Sequence, residues 1–118
     1  MKLSELIDRY NLHDSLVENI KYLQEKRQVV LEIELCNWKQ DSYRDSDPEM
    51  TLMSLLFHDV DKCEISPDSG TYDSDEILEI EVVQGSNNTD SEAIKIILRG
   101  NDDVKILQIQ ANDVEWIT

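Results

Sequence analysis

Histidine, cysteine, glycine and positive charge are all scarce in this chain of 118 residues, and each scarcity excludes something. With only 3 glycines, the Gly-rich loops that cradle phosphates at a helix N-terminus cannot be built. The 2 cysteines, Cys36 and Cys63, lack close spacing and a histidine cluster nearby. Free thiols in a reducing compartment are therefore expected, not a disulfide or a metal knuckle. Lys and Arg total 11 against 26 Asp and Glu, a formal net charge of -15. A nucleic-acid binder needs a basic face to displace counterions from phosphates. Lys26-Arg27 is the densest basic spot here, so nucleic-acid and anionic-membrane binding are both disfavoured. The longest uncharged apolar run, Met50 to Phe57, is too short to span a bilayer. Met1-Lys2-Leu3-Ser4-Glu5 carries acid early and lacks the apolar core of a signal peptide, so a cytoplasmic location is expected.

What remains is 40% hydrophobic and 31% charged, the balance of one folded domain over residues 1–118 and not of a disordered chain. Leu3, Leu6, Ile7 and Tyr10 fall at helical spacing, so a short helix is expected over Lys2 to Tyr10, with Ser4 as N-cap. Strand patterns follow. Ser15 to Leu23 alternates imperfectly and admits a bulge. Gln28 to Trp38 is the cleanest strand, with Val29, Leu31, Ile33 and Leu35 on one face and Glu32 and Glu34 on the other. Met50 to Phe57 is apolar on both faces, and a further piece runs from Val60 to Ile65. Ile77 to Val83 reads with Leu78, Ile80 and Val82 inward and Glu79 and Glu81 outward. Glu92 to Arg99, Val104 to Ala111 and Val114 to Ile117 complete the set, and no internal repeat is visible. The expected fold is mainly β (α+β): an antiparallel meander sheet or partly open barrel of six to eight strands with one short N-terminal helix.

Chemistry has few places to reside. Both histidines precede an aspartate, as His13-Asp14 and His58-Asp59. A small metal-dependent enzyme built on those four residues is one reading. Residues adjacent on a strand point to opposite faces, however, so each pair works jointly only at a turn. His13, Asp14 and Ser15 read better as a structural motif at the helix-to-strand junction. There the His13 ring would bond backbone, while Asp14 and Ser15 bond local amides. The three are also too close in sequence to form a hydrolytic triad in line. The acidic stretches Asp45 to Glu49 and Asp73 to Glu76 alternate oxygen ligands but lack the central glycine and distant glutamate of a calcium loop. No catalytic residue, metal or cofactor is expected. Trp38, Tyr43 and Tyr72 lie in or beside acidic loops with Asp45, Asp47, Asp73 and Asp75, a composition suited to docking a basic protein.

Leu12-His13-Asp14-Ser15, followed by Val17 and Ile20, resembles the opening of a group of small bacterial proteins, some classed as immunity proteins of polymorphic toxin systems. The likeness extends as a looser pattern to Leu55-Leu56-Phe57-His58-Asp59-Val60, with Asp59 where a glycine is typical, and to Ala111-Asn112-Asp113-Val114-Glu115. It implies a mainly antiparallel β fold without enzymatic activity, and it assigns no catalytic residue. The expected function is thus a non-enzymatic acidic module that binds a basic protein, in its sharper form an immunity-type inhibitor. A structural homo-oligomer subunit, paired through an exposed sheet edge, is the third alternative.

Overall fold

Gln28–Cys36 shows how the pattern becomes sheet. Val29, Leu31 and Ile33 are at most 1% exposed, while Glu32 and Glu34 look outward to solvent. The same in-out alternation recurs along the chain. The computed structural model describes residues 1–41, 43–66, 75–83, 91–100 and 103–117. Helix α1 covers Leu3–Arg9. The strands are β1 Leu16–Leu23, β2 Gln28–Cys36, β3 Met50–His58, β4 Lys62–Ser66, β5 Asp75–Val83, β6 Glu92–Arg99, β7 Val104–Ala111 and β8 Asp113–Ile117. All pair antiparallel in one open sheet of order β4-β7-β6-β5-β1-β2-β3-β8. The expected fold class is the one observed. Among the described residues no helix is long and apolar enough to cross a membrane.

The sheet must curl. Only Asn112 separates β7 from β8, yet the two lie second and last in the strand order. The chain can make that step only if the ends of the sheet approach one another. The concave side then holds one apolar core, drawn from α1 and from β1, β2, β3, β5, β6, β7 and β8. Helix α1 touches β5 and β6 on one side and β8 on the other, with Leu3 and Leu6 fully buried between them. Ser4 does not cap this helix. It lies inside it, and its N–H and hydroxyl both donate to Glu92 Oε1 at 3.1 Å. The Glu5 carboxylate instead accepts the Lys2 N–H at 3.0 Å, satisfying a donor that the helix start leaves orphaned.

Two bulges reset the alternation. In β1 the register shifts between Val17 and Asn19, so Val17 and Ile20 both face the core. In β5 it shifts between Ile77 and Glu79, so Ile77 and Ile80 both face inward. That shift corrects the expected inward pattern of β5: Ile77 is fully buried, whereas Val82 is 46% exposed.

The paired bulges belong to an internal two-fold repeat that the residue identities conceal. β1-β2-β3 is a meander with β8 added at its far edge; β5-β6-β7 is a meander with β4 added at its far edge. Each half thus borrows its fourth strand from the other. The seam is the short pairing of Leu16 with Glu76 and Val17 with Asp75. Ladder register then sets equivalent positions. Val17 matches Ile77, Ile33 matches Leu98, Leu31 matches Ile96, Leu55 matches Leu107 and Phe57 matches Ile109. All ten are at most 1% exposed. The connections correspond too: the Asp61 N–H donates to Gln110 O at 2.8 Å, and the Asn112 N–H to His58 O at 3.2 Å.

Candidate functional site

Leu12 to Ser15 ties three strands together. Asp14 takes a left-handed φ of 69°, a conformation aspartate tolerates better than most residues. Its N–H donates to Ile77 O at 2.9 Å, and Ser15 O accepts from Ile77 N at 2.8 Å, which extends the seam with β5. The Ser15 side chain is fully buried, and its hydroxyl accepts the Cys36 N–H at 2.9 Å. One bond stays within the motif, from the Ser15 N–H to Leu12 O at 3.1 Å, while the bonds to Ile77 and Cys36 reach across the fold.

Among the described residues the His13 ring has no backbone partner, in contrast to the expectation. Its Nδ1 lies 3.2 Å from Asp14 Oδ1, a contact the left-handed turn allows. Lys39 Nζ sits 3.0 Å from Asp14 Oδ2 and 3.5 Å from His13 Nδ1. Hydrogen bonding from Lys39, and then the charge of His13, hold the Asp14 carboxyl below its usual range. Gln40 locks this corner: its amide donates to Asn11 O at 2.6 Å and Cys36 O at 2.9 Å, and accepts from Asn11 N at 2.9 Å. An open cleft of about 480 Å³ runs beside it, lined by Tyr10, His13, Lys39, Gln40 and Ile80 among others.

The acidic-aromatic surface is assembled only in part. Trp38 is 51% exposed on a 3-10 turn, Asn37–Lys39, that ends β2, with Lys39 Nζ 5.0 Å from its ring centroid. Tyr43 and Asp47 line a second cleft of about 430 Å³ with Tyr10 and Pro48. Asp45 is exposed on the same connection. The Asp47 carboxylate accepts the Arg44 N–H at 3.0 Å, so it braces the turn as well as facing solvent. Asp75 does not belong to this surface. It is 2% exposed, and its Oδ2 meets Lys105 Nζ, itself 4% exposed, at 2.7 Å. The strand alternation that buries Ile77 buries Asp75 as well. Tyr72 and Asp73 lie outside the described residues.

The four residues of the metal-enzyme reading are not brought together. Among the described residues, the group able to hold an ion is His58, Asp113 and Glu115, whose ligand atoms lie within 4.8 Å of one another. It contains neither His13, Asp14 nor Asp59. His58 Nε2 stands 3.0 Å from Glu115 Oε2. Only the β3–β8 pairing, which sets His58 directly opposite Asp113, reveals this group. Asp113 and Glu115 at alternate positions of a terminal strand were the one signal for it in the chain. Both thiols are free, and burial pushes their pKa values up, that of Cys63 to about 11, which makes them poor nucleophiles.

No protein-family model, curated protein or solved structure matches this chain. Its function therefore has to be read from its own surface.

Proposed function

We propose that this chain is a non-enzymatic protein-binding module that docks a basic partner through its acidic surface. The observation that carries the reading is Trp38. A half-exposed tryptophan stands at the head of a connection that also presents Tyr43, Asp45 and Asp47, in a chain of net charge -15. Tryptophan is a frequent interface anchor, and charge complementarity raises association rates by about 10- to 1,000-fold at low salt. The sharper version is an immunity-type inhibitor, cytoplasmic, that masks the basic surface of a toxin. Co-expression with the protein encoded beside it is the test. We expect the neighbour to be toxic alone and neutralised in the pair, and Trp38→Ala to weaken binding by more than about tenfold. A neighbour that is neither toxic nor retained in a pull-down defeats the immunity version.

A second reading, a small acid-base enzyme, has one observation behind it. His13, in contact with Asp14, lines the larger cleft, as a carboxylate-oriented general base would. Against it, the Lys39 ammonium holds the second Asp14 oxygen. Loss of partner binding in Trp38→Ala but not in His13→Ala separates the two readings.

A further inference from the structure

We propose that His58, Asp113 and Glu115 form a binding site for a divalent transition-metal ion of the zinc type, independent of any protein partner. The strand register builds the site. His58 pairs directly with Asp113, and Glu115 lies two residues further along β8. Side chains at alternate positions share a face, so all three project from the same side of the β3–β8 ladder. Phe57 and Val114, which alternate with them, are fully buried in the core. The three donors therefore point to the open face, where an ion can enter.

The distances fit. Ligands about 2 Å from a tetrahedral ion stand roughly 3.3 Å apart. The donor atoms lie within 4.8 Å of one another, a span that flexible side chains can narrow toward that spacing. One pair, His58 Nε2 and Glu115 Oε2, is already at 3.0 Å. Asp113 Oδ1 accepts from the Met1 amino group at 2.8 Å, but a carboxylate has a second oxygen to offer. One imidazole and two carboxylates suit zinc, cobalt, nickel or manganese. Calcium prefers six to eight oxygens, and here one donor is nitrogen. Three protein ligands leave a position for water.

The other half of the repeat supplies an internal contrast. The same lattice positions there hold Gln110, Lys62 and Glu64. Lys62 Nζ lies 3.6 Å from Glu64, so an ammonium stands on the strand position that Asp113 fills in the other half. The donor set belongs to one half only, although the backbone frame is shared.

The test is titration of the whole protein with Zn²⁺ alone, by calorimetry and by imidazole NMR. We expect one Zn²⁺ per chain and a selective shift of the His58 ring signals. His58→Ala should weaken binding by at least about tenfold, a loss that even outer-shell ligand partners can cause. Glu115→Gln should weaken it too, whereas His13→Ala should leave it unchanged. An equal concentration of Ca²⁺ should not displace the ion. The proposal is overturned if millimolar Zn²⁺ gives neither heat nor shift. It is equally overturned if His58→Ala binds like the parent protein, or if the His13 signals move first. Folding of each variant is checked by circular dichroism, and the NMR shift in the unsubstituted chain does not depend on any variant folding.

Discussion

At the seam between β1 and β5, Ser15 and Asp75 occupy equivalent positions of the two halves, and Met53 and Lys105 do the same on the third strand of each meander. Both seam residues are buried, Ser15 at 0% and Asp75 at 2% exposure. One half meets the site with a neutral hydroxyl that accepts a backbone N–H from Cys36, and has an apolar Met53 at the third-strand position. The other meets it with a carboxylate and an ammonium 2.7 Å apart. The same backbone lattice thus tolerates either a hydrogen bond or an ion pair at its centre. Removing one member of a buried interaction costs more where that member is charged than where it is a hydroxyl.

That difference gives the largest expected effect. Lys105→Met removes the ammonium that meets the buried Asp75 carboxylate. Breaking a buried pair in this way costs about 3–5 kcal/mol. Asp75→Ser combined with Lys105→Met writes the residues of one half into the other. Replacing both members of a buried pair is often neutral, so the double variant should recover most of the lost stability. Urea unfolding of the two single variants and the double variant measures the coupling. If the double variant is as unstable as Lys105→Met, the halves are not interchangeable and the repeat is one of topology alone. Gly100 limits how the Asp75 side can be redesigned, since a Cβ there would stand 3.2 Å from Asp75 Oδ1 and 2.8 Å from Asp103 Oδ1.

The next effect is on the neutral side. Ser15→Ala removes the acceptor of the Cys36 N–H in a buried position. An orphaned buried donor costs about 1–3 kcal/mol. The shift in the urea midpoint should therefore be clear but smaller than that of Lys105→Met. A larger shift would mean that the hydroxyl clip, and not the ion pair, governs the seam.

Much of this frame was readable from residues alone, and the limits have physical causes. Alternation at Val29 to Leu35 and Ile94 to Leu98 predicts strands because period two has one reading on a half-buried sheet. The imperfect alternation of β1 gives away its bulge, yet Leu78 hides the bulge of β5, since Leu78 and Ile80 alternate plausibly without one. Asp75 read as a loop acid because its neighbours are acidic, and its cation stands in β7, thirty residues away. The repeat is invisible in the residues because register and burial repeat while side chains do not. The His58, Asp113 and Glu115 group was hidden for the same reason, as it exists only through a long-range pairing.

The smallest effect tests whether the partly exposed ion pair on the Ser15 side resembles the buried one on the other. Lys39 Nζ and Asp14 Oδ2 are 3.0 Å apart, with both side chains partly exposed. Solvent-exposed pairs are screened, and their contribution to stability is small. Hydrogen bonding from Lys39 holds the Asp14 pKa below its usual 3.8. A carboxyl depressed in the folded state stabilises above its unfolded pKa, and that contribution is lost as pH falls through the folded value. Lys39→Met should therefore raise the Asp14 pKa toward 3.8 in a carboxyl NMR titration. Any stability gap between the variant and the parent should be present at neutral pH and vanish in strong acid. The His13 charge also lowers the Asp14 pKa, so part of the depression should survive while the imidazole is protonated. If instead Lys39→Met unfolds the chain as readily as Lys105→Met, burial is not what separates the two pairs, and the contrast between the halves has to be drawn elsewhere.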